Sequence, residues 1–181
     1  SPEFIEDFLP YTIELGRSFI CPKYQSGASS TKSIYALDNL WDGIGALIVK
    51  FKAKYLFGKA SIYSHFGDDA FAIIRYFLNL YFADSRNLVY AKNPIKTDVS
   101  EEIKSLFCGN NYKDDYVVLK RELKKLDRHI PPLVNSYMNV SPSMIAFDST
   151  INEDFGNVYE TGLLVTTADM YEEKVKRHME S

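Results

Sequence analysis

A carboxylate and a guanidinium lie three residues apart in an otherwise apolar run, Ile13-Glu14-Leu15-Gly16-Arg17-Ser18-Phe19. A carboxylate in such a place can take the proton of an attacking amine, and a guanidinium beside it can orient the base or grip a substrate carboxylate through its planar fork of donors. Burying either charge costs several kcal/mol unless it is paired or used on a ligand, so Glu14 and Arg17 are either a structural ion pair or the catalytic part of a site. On an ideal strand the two point to opposite faces. A bulge at Gly16 brings them to the same side, and glycine tolerates bulge dihedrals.

A second group follows. Gln25, Ser26, Gly27, Ala28, Ser29 and Ser30 form a small polar loop ahead of a helix whose apolar residues Ile34, Leu37, Trp41, Ile44 and Ile48 recur at helical spacing. Free N–H groups and the macrodipole at that helix start suit an anion. The competing reading is an ordinary helix capped by Ser29 or Ser30. Ser61 and Trp41 are the candidates for contact with substrate, although a small residue at 61 also suits a plain strand crossing. His65, His129 and His178 have no spacing suited to a metal, and neither Cys21 nor Cys108 has a His partner motif for thiol chemistry. Lys50, Lys52, Lys54 and Lys59 form either a docking patch for an acidic partner or a solvated helix end.

The elements that must position these residues are those of an α/β protein. Strands are expected at about 11–20, ended by Cys21-Pro22, and at 55–63, each followed by a helix, the second over 68–82. Residues 83–112 make a long polar connection with a short helix at 100–107. An amphipathic helix at 114–126 and a proline-led helix from 131 to 139 come next. Segments 144–148 and 158–166 read as an antiparallel pair, and 168–179 as a charged terminal helix.

The chain has 181 residues, 46% hydrophobic and 25% charged, with a net charge of −3. That supports one domain with a sizeable core, 1–181. The acidic balance argues against nucleic acid, which needs a concentrated excess of Lys and Arg. Two cysteines point to a reducing interior and a cytoplasmic location. The 13 Tyr and 12 Phe can form apolar walls for a greasy substrate, as well as core.

The motifs Glu14-Leu15-Gly16-Arg17-Ser18, Leu40-Trp41-Asp42-Gly43-Ile44, Tyr55-Leu56-Phe57-Gly58, Ile130-Pro131-Pro132-Leu133 and Asp154-Phe155-Gly156-Asn157-Val158 follow one another along the chain. In that order they resemble the lipid-forming branch of the GNAT acyltransferases, the ornithine- and glycine-lipid N-acyltransferases that genome catalogues often label hemolysins. Pro10-Tyr11-Thr12-Ile13-Glu14 and Tyr159-Glu160-Thr161-Gly162 are similar to Bacteroides-type versions. The resemblance implies transfer of a 3-hydroxy fatty acyl group to the α-amine of glycine or ornithine, with Glu14 as base. The implied donor is an acyl-phosphopantetheine on acyl carrier protein. The loop departs from the GNAT pyrophosphate signature because Gly27 comes one position early after Gln25, which weakens coenzyme A as donor. The resemblance also implies a hundred or more residues ahead of the Glu14 strand. The chain is thus expected to be a C-terminal half, a partial GNAT-like mixed sheet whose first strand pairs with an N-terminal fragment or a second copy. Peripheral membrane contact accompanies a lipid product. Two rival readings are a catalytically incomplete binding or assembly module and an autoinducer-synthase-like acyltransferase.

Overall fold

In a computed structural model, residues 1–16, 21–22, 36–95 and 99–180 are described. Four strands form one mixed sheet: β1 (Thr12–Leu15), β2 (Tyr55–Ile62), β3 (Ile145–Asn152) and β4 (Val158–Thr166), in the order β1-β2-β4-β3. β1 runs parallel to β2, whereas β4 is antiparallel to both β2 and β3. β1 therefore lies at an edge, with no strand on its other side among the described residues. The antiparallel pair is longer than expected because β3 continues past Asp148, through a register shift between Ala146 and Ser149.

Helix α1 (Ala36–Phe51) lies between β1 and β2 in the chain, and α2 (Asp68–Phe82) follows β2. Alternation decides which strand residues meet them. Leu56, Ala60 and Ile62 of β2 and Leu163 and Val165 of β4 pack with Trp41, Ile44 and Ile48 of α1 and Phe71, Ile74 and Phe77 of α2 in one large core. The odd-numbered β2 positions face the other side. There Tyr55 and Phe57 join Phe8, Leu88, Phe147 and Leu164 in a smaller cluster. Residues Phe4–Phe8 form a helical turn over this second face, and Phe4 sets its ring against Phe8, Phe57 and Phe147. Nothing in the polar–apolar pattern of residues 1–8 predicts that role.

The long connection holds α3 (Glu101–Ser105), capped by the Ser100 hydroxyl. It leads into α4 (Tyr112–Lys125), whose N-cap Asn111 accepts from the N–H groups of Lys113 and Asp114. α5 (Pro132–Met138) begins at its second proline, and α6 (Glu172–His178) is shorter than expected, because Thr167–Asp169 form a separate 3₁₀ turn. Most of the aromatic residues are core. Phe77 alone touches the rings of Tyr81, Phe107, Tyr112 and Tyr116.

Candidate active site

The ladder between β1 and β2 stops at Leu15↔Gly58, yet β2 continues to Ile62. Among the described residues nothing pairs with Lys59–Ile62 on that edge. Half the backbone N–H and C=O groups of this stretch point to that edge, so within the described residues β1 and β2 form a fork beyond Gly58; residues 17–20, the expected continuation of the first strand, lie outside the described residues.

Glu14 stands beside the fork. Ile13 and Leu15 pack on the large core, so Glu14 lies on the opposite face, with Phe57 as its register partner. It is exposed, contrary to the expectation of a charge buried in an apolar strand. The physical reason is position: within the described residues β1 ends the sheet, and the Phe4–Phe8 turn on its second face leaves Glu14 exposed, so the charge costs little. Glu14 has no ion pair or hydrogen bond among the described residues. The ladder from Thr12 to Leu15 is regular, and Glu14 and Gly16 share a side, with a Glu14 carboxylate oxygen 3.8 Å from where a Gly16 Cβ would stand. Arg17 lies outside the described residues, as do Gln25, Ser26, Gly27, Ala28, Ser29 and Ser30 of the expected donor loop.

Ser61 lies on the same face as Glu14, on the unpaired stretch of β2, opposite Glu160 in the β2–β4 register. Glu160 is a feature to which sequence reasoning gave no role, although it shows the signal that singled out Glu14, an acid inside an apolar strand. Only 8% exposed, its carboxylate accepts from Lys59 Nζ at 2.7 Å and from Asn152 Nδ2 at 3.1 Å. Lys59 thus pairs with Glu160 and separates from the other three lysines of the basic cluster.

Trp41 is placed differently from expectation. It is buried, donates its indole N–H to Ser136 Oγ at 2.7 Å, and meets the Tyr137 ring edge-on. The rest of its motif is also structural. His178 Nδ1 and Asp42 Oδ1 are 2.5 Å apart, and a Cβ at Gly45 would stand 1.9 Å from the His178 carbonyl oxygen. Gly45 thereby lets α6 lie directly on α1.

Tyr137 brings a further group to the fork. A Cβ on Gly58 would stand 2.4 Å from the Tyr137 hydroxyl oxygen and 3.5 Å from Leu15 Cβ, so the phenol sits on the helix side of the sheet where β1 and β2 part. Burial pushes Tyr137 up to about 12, so it keeps its proton at neutral pH. No hydrogen bond to its hydroxyl occurs among the described residues. A separate pocket of about 590 Å³, lined by Tyr112, Asn135, Asn139 and Lys174 among others, contains none of the sequence-derived site residues. No cluster of His, Cys, Asp or Glu among the described residues could hold a metal ion.

The four-stranded mixed sheet with its parallel first pair, its antiparallel closing pair and its flanking helices is consistent with a partial GNAT-like fold. Comparison with known proteins narrows this further. The chain is 44% identical over 183 residues to "Glycine N(alpha)-acyltransferase" of Phocaeicola vulgatus, an alignment that covers 100% of the chain and 56% of that protein. It is 45% identical over 183 residues to the protein of the same name from Bacteroides thetaiotaomicron, covering 100% of the chain and 54% of that protein. It is homologous to both along its whole length and spans about half the length of each. No family model matches it, and no solved structure does.

Proposed function

We propose that the protein to which this chain belongs is an N-acyltransferase that moves a fatty acyl group, 3-hydroxylated in its natural substrate, from acyl carrier protein to the α-amine of glycine. The observation that carries the reading is the fork at Gly58, with an exposed carboxylate on one face of the sheet and a buried, protonated phenol on the other. The name shared by the two relatives favours glycine over ornithine as acceptor. A thioester lodged in the fork has Glu14 toward the incoming amine and Tyr137 toward the sulfur. The amine nitrogen attacks the thioester carbon, the N–C bond forms and the C–S bond breaks. Glu14 takes the proton released by the amine, and Tyr137 supplies one to the departing thiolate. The donor is an acyl-phosphopantetheine, whose single phosphate is the anion expected at the loop 25–30.

The test is an assay of the full-length protein with acyl-loaded carrier protein and glycine, read as acylglycine by mass spectrometry. Glu14→Gln should lower the rate by about 10² to 10⁴, the usual worth of a general base, with no loss of thermal stability, because Glu14 is exposed and has no partner among the described residues. A wild-type rate in Glu14→Gln removes the base from the scheme. Absence of acylglycine with either carrier-bound or coenzyme A donors removes the reaction. The open β1 edge and the half-length match also fit a second reading, in which this portion serves as a binding or assembly module. Assaying the 181-residue chain beside the full-length protein separates the two.

A further inference from the structure

The outer surface of α1 is apolar where solvent should favour charge. Its inner side buries Trp41, Ile44, Gly45 and Ile48; the exposed side carries Asn39 and Asp42 in its first half and then Gly43, Ala46, Leu47, Val49 and Phe51, with Lys50 among them. Phe51 is 63% exposed and Leu47, one turn earlier on the same ridge, 41%. Helix surface that is apolar on both the inner and the outer side, as over Gly43–Val49, is normally covered on both. Asp42, the acid on the same face nearer the start of the helix, is paired with His178, and beyond it the charge has one sign. From Gly43 to Gly67 the chain carries four lysines and no Asp or Glu, in a protein of net charge −3. Lys59 is taken by Glu160 on the far face of the sheet. Lys50, Lys52 and Lys54 have no ion pair among the described residues. Lys50 Nζ lies 5.6 Å from the centre of the Phe51 ring, and Lys54 Nζ lies 3.9 Å from that of Tyr11, which is itself exposed.

From this patch we infer that the outer face of α1 rests on an anionic lipid bilayer, with Leu47 and Phe51 entering the headgroup boundary and Lys50, Lys52 and Lys54 at the phosphate level. Exposed aromatic and aliphatic side chains flanked by lysines are the chemistry that such a surface selects. An acidic carrier protein is the less suitable occupant. Its pantetheine is expected ahead of the first turn of α1, whereas the lysines sit at and beyond the last turn, about 24 Å along the helix at 1.5 Å per residue. The inference concerns binding and does not depend on the reaction proposed above.

The experiment is sedimentation of the full-length protein with vesicles of equal parts phosphatidylglycerol and phosphatidylcholine, and with pure phosphatidylcholine. Binding is expected to the first, weakening as salt rises, and not to the second. Each lysine near such a surface is worth about five-fold in affinity, so the triple variant K50Q/K52Q/K54Q should bind about 100-fold more weakly. Phe51→Ser should weaken binding at unchanged far-UV circular dichroism and melting temperature, since the ring is exposed. Equal partition onto both vesicle types, no binding to the anionic ones at low salt, or full binding by the triple variant overturns the inference. So does a dimer in light scattering that Phe51→Ser dissociates, or loss of carrier-protein affinity in the triple variant with vesicle binding intact.

Discussion

Gly58→Ala tests the fork directly. The added Cβ would lie 2.4 Å from the Tyr137 hydroxyl oxygen and 3.3 Å from the ring carbon that bears it. Neither partner can move freely: Gly58 is held between β1 and β4, and Tyr137 is only 3% exposed, with the Trp41 ring edge-on against it. Overpacking of this kind costs about 1–3 kcal/mol. At about 2–4 °C per kcal/mol for a chain of this size, a loss of about 2 kcal/mol lowers the melting temperature by about 4–8 °C. Tyr137→Phe removes the offending oxygen, and its hydroxyl has no hydrogen bond among the described residues to lose, so alone it should cost under about 1 kcal/mol. In the double variant the nearest of the contacts becomes the one at 3.3 Å, and most of the loss should return. The assay is a thermal or urea double-mutant cycle, with an expected coupling of about 1–2 kcal/mol. A Gly58→Ala variant as stable as wild type, or additive effects in the cycle, would refute the placement of Tyr137 at the fork.

Gly45→Ala puts a Cβ 1.9 Å from the His178 carbonyl oxygen and should displace α6, read as faster amide exchange over Glu172–His178 and a stability loss of about 1–3 kcal/mol. Trp41→Phe removes the donor to Ser136 and should cost about 1 kcal/mol of stability while leaving the Michaelis constant for glycine unchanged; a raised constant would restore Trp41 to the substrate site. Burial works to raise the pKa of Asp115, but hydrogen bonds from Tyr81 and from the Cys108 and Gly109 N–H groups outweigh it, so the carboxyl titrates below its ordinary value. Its stabilisation is therefore full above the unfolded-state value of about 3.9 and is lost as pH falls through the folded value. Asp115→Asn should be less stable than wild type by about 1–3 kcal/mol at neutral pH, with the gap closing on acidification in urea titrations.

What the sequence made legible and what it hid divide along sequence distance. β2, α2, α5 and β4 lie close to their expected bounds, because period-2 and period-3.6 patterns and proline punctuation act locally. The motif around Trp41 could be recognised but not interpreted. Its partners Ser136 and His178 are 95 and 136 residues away in the chain, and no local pattern shows that the indole N–H, Asp42 and Gly45 serve to fasten α5 and α6 to α1. Glu14 was found for a reason that does not hold in the fold. A carboxylate in an apolar strand implies a buried charge only where both faces are fully covered at that position, and the sequence does not reveal that the second face of β1 leaves Glu14 exposed. The Phe4–Phe8 turn went unread because its partners Phe57 and Phe147 come from distant strands.

The two acids on the second face of the sheet, Glu14 and Glu160, differ in how the packing treats them. Glu160 sits between two strands, is almost fully shielded, and has a lysine and an amide on its two oxygens. A buried carboxylate without such partners would cost several kcal/mol, so these contacts are conditions of the fold, and they also hold Lys59 over the sheet. Glu14 meets no such demand. Exposed, it has no ion pair or hydrogen bond among the described residues, and Arg17, three positions on, lies outside them. Its strand ends one residue later, at the point where the β1–β2 ladder ends and the Tyr137 hydroxyl reaches the backbone from the other side. Glu160 has both oxygens engaged by Lys59 and Asn152, whereas Glu14 keeps its carboxylate in solvent.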